Sequence, residues 1–186
     1  MARRVVYIHG FNSSERSFKA TEFGRYMEQK QSTYSVPRLH YDPTIALTQL
    51  HALVDSDTVL LGSSLGGYYA TYLSQTLGCK AVVINPAVRP FALLNDFLGP
   101  QYNPYQECHY TLQHKHVEAL RALYINTLTS PEKLLLLQQT GDEVLPFIDA
   151  VRYYQHCQQF VEFGGDHSFV GFSRYFDTIA EFLAIT

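Results

Sequence analysis

The chain has 186 residues, of which 46% are hydrophobic and 17% are charged. These proportions are typical of a single globular domain spanning residues 1–186, and they exclude a disordered or linker protein. Lysine and arginine total 14 against 17 aspartate and glutamate residues, which gives a net charge of -3. The chain therefore lacks the excess of basic residues that would bind the phosphate backbone of a nucleic acid, and we expect no nucleic-acid partner.

The cysteines and the first residues of the chain favour a cytoplasmic location. The three cysteines are odd in number, lie far apart and form no Cys-x-x-Cys pair that would indicate redox chemistry or zinc binding. The apolar run before His9 is too short for a secretory signal, and no later stretch approaches the length of a membrane span. The oligomeric state is not predicted by any of these features.

Short β-branched or leucine-rich runs alternate with longer runs of helical spacing along most of the chain. The short runs predict six strands, at residues 5–8, 36–40, 58–61, 81–84, 134–137 and 160–163. The longer runs predict helices at residues 17–30, 43–54, 65–77, 146–156 and 171–185. Strands that alternate with helices form a mostly parallel sheet with helices on both faces, so we predict an α/β fold. Pro37 places the second strand near an edge of that sheet.

Residues 86–132 interrupt this alternation. They are rich in proline and tyrosine and contain only two weak helical patches, at residues 91–98 and 116–123. The segment is too long for an ordinary connection and too apolar for a linker. We therefore predict an excursion of the chain over one edge of the sheet, which would form a short lid.

The third predicted strand runs directly into a Gly-x-Ser-x-Gly pattern centred on Ser64. A serine on a sharp turn from strand to helix needs neighbours without side chains two positions away on each side. Ser64 has Gly62 and Gly66 at these positions, whereas Ser63 has leucines. The alternative is a glycine-rich turn whose serine caps the following helix. The preceding strand and the following helix favour a nucleophile elbow.

A serine hydroxyl becomes an effective nucleophile when a histidine takes its proton and a carboxylate orients that histidine. Asp142 follows the fifth predicted strand and His167 follows the sixth, at the edge where open parallel sheets bind ligands. The order serine, acid, histidine is that of hydrolases with this type of elbow. Glu143 is a second candidate for the acid. Asp166 is less suitable because adjacent residues in an extended loop point apart.

Two backbone N–H groups are candidates for holding the negative charge that develops on a substrate oxygen during acyl transfer. Leu65 follows the candidate nucleophile at the start of its helix, and Phe11 follows Gly10 just after the first strand. We expect His9 to brace this loop by hydrogen bonds rather than to react.

Metal and nucleotide sites are not predicted. The spacing of His109, His114 and His116 matches no familiar set of ligands, and no pair of carboxylates accompanies them. The glycines of residues 62–67 lack the lysine of a phosphate-binding loop. We expect no cofactor.

The sequence resembles the α/β-hydrolase superfamily, and within it the small bacterial esterases of the YqiA/YcfP type, which begin with a strand and His-Gly-Phe-Asn-Ser-Ser. The matching segments are residues 8–14, 61–67, 85–87, 138–144 and 164–169. The resemblance implies a compact six-stranded sheet with local strand order 2-1-3-4-5-6. It also implies hydrolysis of carboxylic esters or acyl thioesters through Ser64, His167 and Asp142.

The substrate pocket is predicted from apolar residues in the excursion and in the loops near the elbow, although each of them could equally pack in the core. These residues are Phe11, Phe91, Leu94, Phe97, Val144, Leu145 and Phe169. An apolar pocket favours a small-molecule acyl ester or thioester as the substrate. An amidase, peptidase or acyltransferase with the same three residues is an alternative, and so is a non-catalytic small-ligand binding protein on the same fold.

Overall fold

A computed structural model describes residues 3–186. Within this range the strands are β1 (Arg4–Ile8), β2 (Thr33–Ser35), β3 (Thr58–Ser63), β4 (Ala81–Ile84), β5 (Gly99–Asn103), β6 (Cys108–Leu112), β7 (Leu134–Gln139) and β8 (Gln158–Glu162). The α-helices are α1 (Phe18–Met27), α2 (Pro43–Leu53), α3 (Leu65–Leu77), α4 (Pro90–Leu94), α5 (His114–Ala122), α6 (Phe147–Tyr153) and α7 (Phe176–Leu183). Short 3₁₀ turns follow α4 and precede both β7 and α7.

Six of the strands form one sheet in the order β2-β1-β3-β4-β7-β8, and all neighbouring pairs are parallel. Numbered among themselves, these strands have the order 2-1-3-4-5-6, so the predicted topology is confirmed. Every residue of β3, β4 and β7 is buried because helices cover both faces of the sheet.

The core has two parts, one on each face of the sheet. On one face the side chains of alternate strand residues pack against α2, α3 and α5. On the other face the intervening strand residues pack against α1, α7 and the turn before α7. No helix within residues 3–186 combines the length and the hydropathy that crossing a membrane would require.

The second strand was predicted at residues 36–40, but β2 comprises Thr33–Ser35. Pro37 has no N–H group to donate to a neighbouring strand. The N–H of Leu39 donates instead to His9 Nε2, and the N–H of His40 donates to Gln49 Oε1. Because side chains take up these donors, residues 36–40 leave the sheet. The prediction of an edge position is confirmed, since β2 ends the sheet.

Residues 86–132 contain an antiparallel hairpin of β5 and β6 that was not predicted. Its turn begins at Asn103, whose Oδ1 accepts hydrogen bonds from the N–H groups of Tyr105 and Gln106. The excursion packs on α2 and α3, and its hairpin contacts the loop after β1, where Tyr110 Oη donates to Asn12 Oδ1 over 2.7 Å. The excursion therefore covers part of the carboxyl edge of the sheet.

Candidate active site

Ser64 lies on the sharp turn between β3 and α3. Its backbone has φ 53° and ψ -123°, a conformation that is strained for a residue with a side chain and is concentrated at functional sites. A Cβ atom on Gly62 would overlap the carbonyl of Gly66, and one on Gly66 would overlap the carbonyl of Ile8. Both glycines are therefore required by close backbone approach. The side chain of Ser64 does not cap α3, which argues against a capping serine.

The last residue of β4 and the segment 85–87 that follows it hold the main chain of Ser64. The N–H of Ala87 donates to Ser64 O over 3.1 Å, and the N–H of Ser64 donates to Ile84 O over 3.2 Å. A Cβ atom on Gly67 would lie 2.7 Å from Pro86 Cβ, so α3 begins in close contact with this segment. The backbone of the turn is thus fixed from one side.

Asp142 and His167 are in direct contact. Nδ1 of His167 lies 2.9 Å from Asp142 Oδ2 and 3.0 Å from Oδ1. The Asp142 side chain is fully buried, and its Oδ1 also accepts hydrogen bonds from the N–H groups of Val144 and Leu145. The carboxylate is therefore fixed in place. With Nδ1–H donated to it, Nε2 of the neutral imidazole is free of a proton and can act as a base.

The other two acidic candidates bind the histidine loop at different points. Glu143 Oε2 accepts a hydrogen bond of 3.0 Å from the main-chain N–H of His167. Asp166 Oδ1 accepts hydrogen bonds from the N–H and the hydroxyl of Ser168. Neither carboxylate forms a hydrogen bond with the imidazole, whereas Asp142 does.

Two buried amides, to which the sequence analysis gave no role in the site, also hold the histidine loop. Asn85 Nδ2 donates to the carbonyls of Asp166 and His167, and its Oδ1 accepts from the N–H of Gln139. Gln139 Oε1 accepts from the N–H groups of Asp166 and Val170. The sequence feature that could have indicated them is a polar residue where an apolar strand ends. Asn85 directly follows β4, and Gln139 is the last residue of β7.

The loop after β1 passes beside Ser64. A Cβ atom on Gly10 would lie 3.1 Å from Ser64 Cβ. The N–H groups of Phe11 and Leu65 donate to no other residue between 3 and 186, and both residues border the same cleft as Ser64. Such unpaired donors next to a serine hydroxyl are suited to bind an oxyanion.

His9 braces this loop. Its Nδ1 lies 3.0 Å from Gly10 O, and its Nε2 accepts a hydrogen bond of 3.2 Å from the N–H of Leu39. Burial lowers the pKa of His9, while the Gly10 carbonyl and the charge of Glu15 act in the opposite direction. The lowered pKa favours the neutral imidazole, which is the form that can both donate and accept these bonds.

Ser64 and His167 line two clefts that meet beside them. The first, called the apolar cleft, has a volume of about 340 Å³ and is lined by Phe11, Asn12, Ser64, Leu65, Ala87, Pro90, Leu93, Leu94, Phe97, Gln101, Val144, Leu145 and His167. The second, called the polar cleft, has a volume of about 350 Å³ and is lined by Gly10, Phe11, Asn12, Ser13, Ser17, Phe18, Lys19, Ser63, Ser64, Tyr105, Glu143, His167 and Ser168. No hydrogen bond joins Ser64 Oγ to the imidazole in this structure. Contacts of this kind commonly tighten when a substrate binds.

Five of the residues predicted for the pocket line the apolar cleft, namely Phe11, Leu94, Phe97, Val144 and Leu145. They come from the loop after β1, from the segment of α4 and the turn after it, and from the loop after β7. The apolar lining of this cleft thus comes both from the excursion and from the loops of the sheet edge.

Phe91 and Phe169 line neither cleft, so the prediction is wrong for these two residues. Phe91 is buried with its ring against Tyr124 and under the guanidinium of Arg121. Phe169 is buried on the opposite face of the sheet, against Phe172 and Tyr175. In both cases aromatic packing in the core takes the side chain away from the site. Leu93, which was not predicted, lines the apolar cleft instead.

Lys19 extends from α1 to the histidine loop along the polar cleft. Its Nζ donates to Ser168 O over 2.9 Å. Burial lowers the pKa of Lys19 to about 8, although the carboxylates of Asp166 and Asp142 favour its charged form. The polar cleft therefore has a partly buried cation near the carboxylates of Asp142 and Asp166.

The three histidines considered for a metal do not form a cluster. His116 is buried, and its Nδ1 accepts from the N–H of Gln113 while its Nε2 lies 3.4 Å from Asp42 Oδ2. Nowhere between residues 3 and 186 do three or more His, Cys, Asp or Glu side chains come together in a way that could hold a metal ion.

The sheet order, the elbow and the position of the histidine loop define an α/β-hydrolase fold. Alpha/beta hydrolase domain-containing protein 10 from mouse matches with a TM-score of 0.75 at 14% identity, over 97% of this chain and 89% of that protein. Est1E from Butyrivibrio proteoclasticus matches with a TM-score of 0.73 at 14% identity, over 98% and 87% of the two chains. The esterase domain of a Rhodothermus marinus protein matches with a TM-score of 0.66 at 16% identity, over 98% and 87%. At these identities the likeness shows a common fold.

The chain belongs to the uncharacterised protein family UPF0227, whose family model matches residues 4–184. A UPF0227 protein from Shewanella woodyi (strain ATCC 51908 / MS32) is 29% identical over 93 residues, which is 46% of this chain. The chain spans about half the length of that curated relative, 52%. The resemblance to α/β hydrolases is confirmed by the family and by the fold together.

Proposed function

We propose that this protein is a serine hydrolase that cleaves carboxylic esters or acyl thioesters of small molecules through Ser64, His167 and Asp142. One observation carries the proposal. The buried carboxylate of Asp142 binds His167 Nδ1, which leaves Nε2 available in a cleft that Ser64 also lines. The hydrolase fold of the similar structures supports the same reaction class.

In the first half of the reaction the acyl group moves to the enzyme. His167 Nε2 accepts the hydroxyl proton while Ser64 Oγ forms a bond to the acyl carbon. The negative charge that develops on the carbonyl oxygen is held by the N–H groups of Phe11 and Leu65. Asp142 stabilises the resulting imidazolium without taking its proton. The bond from carbon to the leaving oxygen or sulfur then breaks, and His167 protonates the leaving alcohol or thiol.

In the second half water releases the acid. His167 Nε2 takes a proton from a water molecule as its oxygen attacks the acyl carbon, and the same two N–H groups hold the oxyanion. The bond from the acyl carbon to Ser64 Oγ breaks, and the proton on His167 returns to Oγ. Side chains of the protein and water supply all the groups that these steps need.

The lining of the two clefts favours an apolar acyl group. The apolar cleft is formed largely by aliphatic and aromatic side chains, among them Leu93, Leu94 and Phe97. The polar cleft is lined by serines, Lys19 and Glu143, which suit the alcohol or thiol half of a substrate. The proposed substrate is therefore an ester or thioester with an apolar acyl chain and a more polar leaving group.

The direct test is turnover of p-nitrophenyl butyrate by the wild type and by Ser64→Ala. We expect the wild type to release p-nitrophenol and Ser64→Ala to lose at least about three orders of magnitude in kcat. Retention of activity in Ser64→Ala, or an inactive but folded wild type across aryl esters and acyl thioesters, would contradict the proposal.

Ser63→Ala is the matched control. Ser63 is the neighbouring serine, and its Oγ accepts a hydrogen bond of 3.0 Å from the buried Tyr7 hydroxyl. We expect the loss of this hydrogen bond to lower the free energy of unfolding by about 1 kcal/mol, which thermal unfolding would measure. We expect Ser63→Ala to keep most of its activity because it changes no proposed reacting group. The comparison separates the loss of the nucleophile from a disturbance of the turn.

A further inference from the structure

A further cavity, called the rear cavity, borders the apolar cleft. This rear cavity has a volume of about 220 Å³ and extends between α4 and the loop that precedes α6. It has five lining residues in common with the apolar cleft, namely Ala87, Pro90, Leu93, Val144 and Leu145. Residues that face both spaces form the wall between them, so a wall of five side chains separates the two cavities.

The wall contains two side chains that are not held by close packing. Leu93 is 38% exposed and Val144 is 48% exposed, whereas Ala87 and Pro90 are buried. Leu93 lies on the five-residue helix α4, and Val144 lies in the loop after β7. Exposed side chains change rotamer within picoseconds to nanoseconds. The wall can therefore open by movement of side chains alone.

The rear cavity is suited to continue an apolar chain toward solvent. Near the apolar cleft it is lined by proline, alanine, valine and leucine side chains, and Arg89 and Asp149 also border it. Arg89 is exposed and Asp149 is partly exposed, so the charged side chains are at the solvent side of this space. The space that continues from the apolar cleft past Leu93 and Val144 is thus lined first by apolar and then by charged side chains.

We propose that Leu93 and Val144 determine the length of the acyl chain that the site accepts. Short acyl chains occupy the apolar cleft, and longer unbranched chains pass between these two side chains into the rear cavity. This inference rests on the proposed function for the identity of the reacting group. It adds the residues that select among acyl chains, and a substrate class that extends from short esters to esters of long unbranched fatty acids.

The test is a series of p-nitrophenyl esters from acetyl through butyryl, octanoyl and dodecanoyl to palmitoyl. We expect the double variant Leu93→Ala with Val144→Ala to raise kcat/KM for dodecanoyl and palmitoyl esters, relative to acetyl, by roughly tenfold or more. We expect Leu93→Phe to lower the same ratio by a similar factor, because the larger ring closes the wall. The acetyl ester is the internal reference, since its acyl group does not reach the wall.

Ile148→Ala is the matched control. Ile148 is a half-exposed aliphatic residue on α6, close in the chain to Val144, and it lines neither cavity. It should leave the chain-length profile unchanged. An unchanged profile in both Leu93 variants, with the acetyl ester still hydrolysed, overturns the inference.

A binding experiment separates this inference from the proposed reaction. In the Ser64→Ala background, displacement of a fluorescent fatty acid measures the affinity for butanoate, octanoate, dodecanoate and palmitate without turnover. Leu93→Phe should weaken dodecanoate and palmitate binding by roughly tenfold and leave butanoate unchanged. That result supports the wall even if no ester is hydrolysed. Equal affinities with and without Leu93→Phe overturn it even if the enzyme is active.

Discussion

The loops at the carboxyl edge of the sheet and the excursion of residues 86–132 build the site in different ways. The edge loops are fixed by backbone contacts and buried hydrogen bonds, as between Asn85 and the carbonyls of Asp166 and His167. The part of the excursion that faces the apolar cleft instead presents half-exposed side chains such as Leu93 and Phe97. The proposed reacting groups are thus fixed by buried hydrogen bonds, whereas the side chains proposed to contact the acyl chain are half-exposed, in the excursion as at Val144 after β7.

The two regions are also connected. The hairpin of the excursion binds the loop after β1, since Asn103 Nδ2 and Gln106 Nε2 both donate to Ser13 O. Tyr110 reaches the same loop through Asn12. That loop carries Phe11, one of the two proposed oxyanion donors. The excursion therefore supports the proposed reacting groups through its hairpin. Its helix α4 contributes Pro90 and Leu93 to the wall, and the loop after β7 contributes Val144 and Leu145.

The largest effect is expected from removing either proposed reacting side chain of the edge loops. We expect Ser64→Ala and His167→Ala each to lower kcat by about three orders of magnitude or more, for every ester tested. The double variant should lose little beyond the worse single variant, because the two groups act as a unit. Steady-state kinetics with purified proteins would check this. Losses that multiply in the double variant would mean that the two residues act independently.

A smaller loss is expected from a support of the histidine loop. Asn85→Ala removes three hydrogen bonds, to the carbonyls of Asp166 and His167 and from the N–H of Gln139. We expect kcat to fall about ten- to a hundredfold because small displacements of reacting groups are costly. Unfolding by urea should show a loss of about 1–3 kcal/mol for the buried groups left unpaired.

Asn95→Ala is the control for this prediction, because Asn95 is exposed in the turn after α4 and makes no side-chain hydrogen bond with any part of the chain from residue 3 onward. It should behave as the wild type. Full activity in Asn85→Ala would mean that the hydrogen bonds of Asn85 are not needed to position His167.

A change in the excursion should alter substrate choice more than reaction rate. Phe97 is 46% exposed and lines the apolar cleft. We expect Phe97→Ala to raise KM for octanoyl esters by roughly three- to tenfold through lost apolar contact, with kcat for the acetyl ester unchanged. Phe163→Ala is the control, since that ring is 94% exposed and lines neither cleft. An equal fall in kcat for acetyl and octanoyl esters would place Phe97 with the reacting groups instead.

The smallest effect is expected on the free energy of unfolding, through Lys19 in the polar cleft. Lys19 has its pKa lowered from 10.5 to about 8 in the folded protein. Between these pH values the unfolded chain binds more protons at this position, so the contribution of Lys19 to stability rises with pH over that window. The difference in free energy of unfolding between wild type and Lys19→Met should therefore shift by about 1 kcal/mol in favour of the wild type from pH 8 to 10.5.

Unfolding by urea across this pH range would measure the difference. Arg25→Met removes a positive charge from an exposed position on the same helix, and its difference from the wild type should stay constant with pH. A constant difference for Lys19→Met as well would mean that the lysine is solvated rather than held against the histidine loop.

The sequence predicts those parts of the molecule that short segments determine. The elbow follows from two glycines at fixed distances from Ser64, and α3 has the predicted bounds of residues 65–77. Asp142 and His167 follow predicted strands and are found in contact. The strand order rests on a resemblance to known hydrolases, because strand pairing depends on residues far apart in the chain.

The features that sequence reasoning missed depend on distant partners. The hairpin has its signal in Asn103 followed by Pro104, a pair typical of turns, but the flanking residues alternate only weakly between apolar and polar. The role of Asn85 depends on the carbonyls of Asp166 and His167, which lie 81 and 82 residues further along the chain. Phe91 and Phe169 have the same apolar character as cleft residues, and only packing in three dimensions assigns them to the core.

Labelling with a fluorophosphonate tests most directly whether Ser64, His167 and Asp142 form one reacting unit. We predict that the folded wild type gains one adduct, that peptide mass spectrometry locates it on Ser64, and that His167→Ala and Asp142→Asn each slow the labelling by about a hundredfold or more. An adduct on another residue, or labelling of Ser64 at the wild-type rate in both variants, would contradict the account.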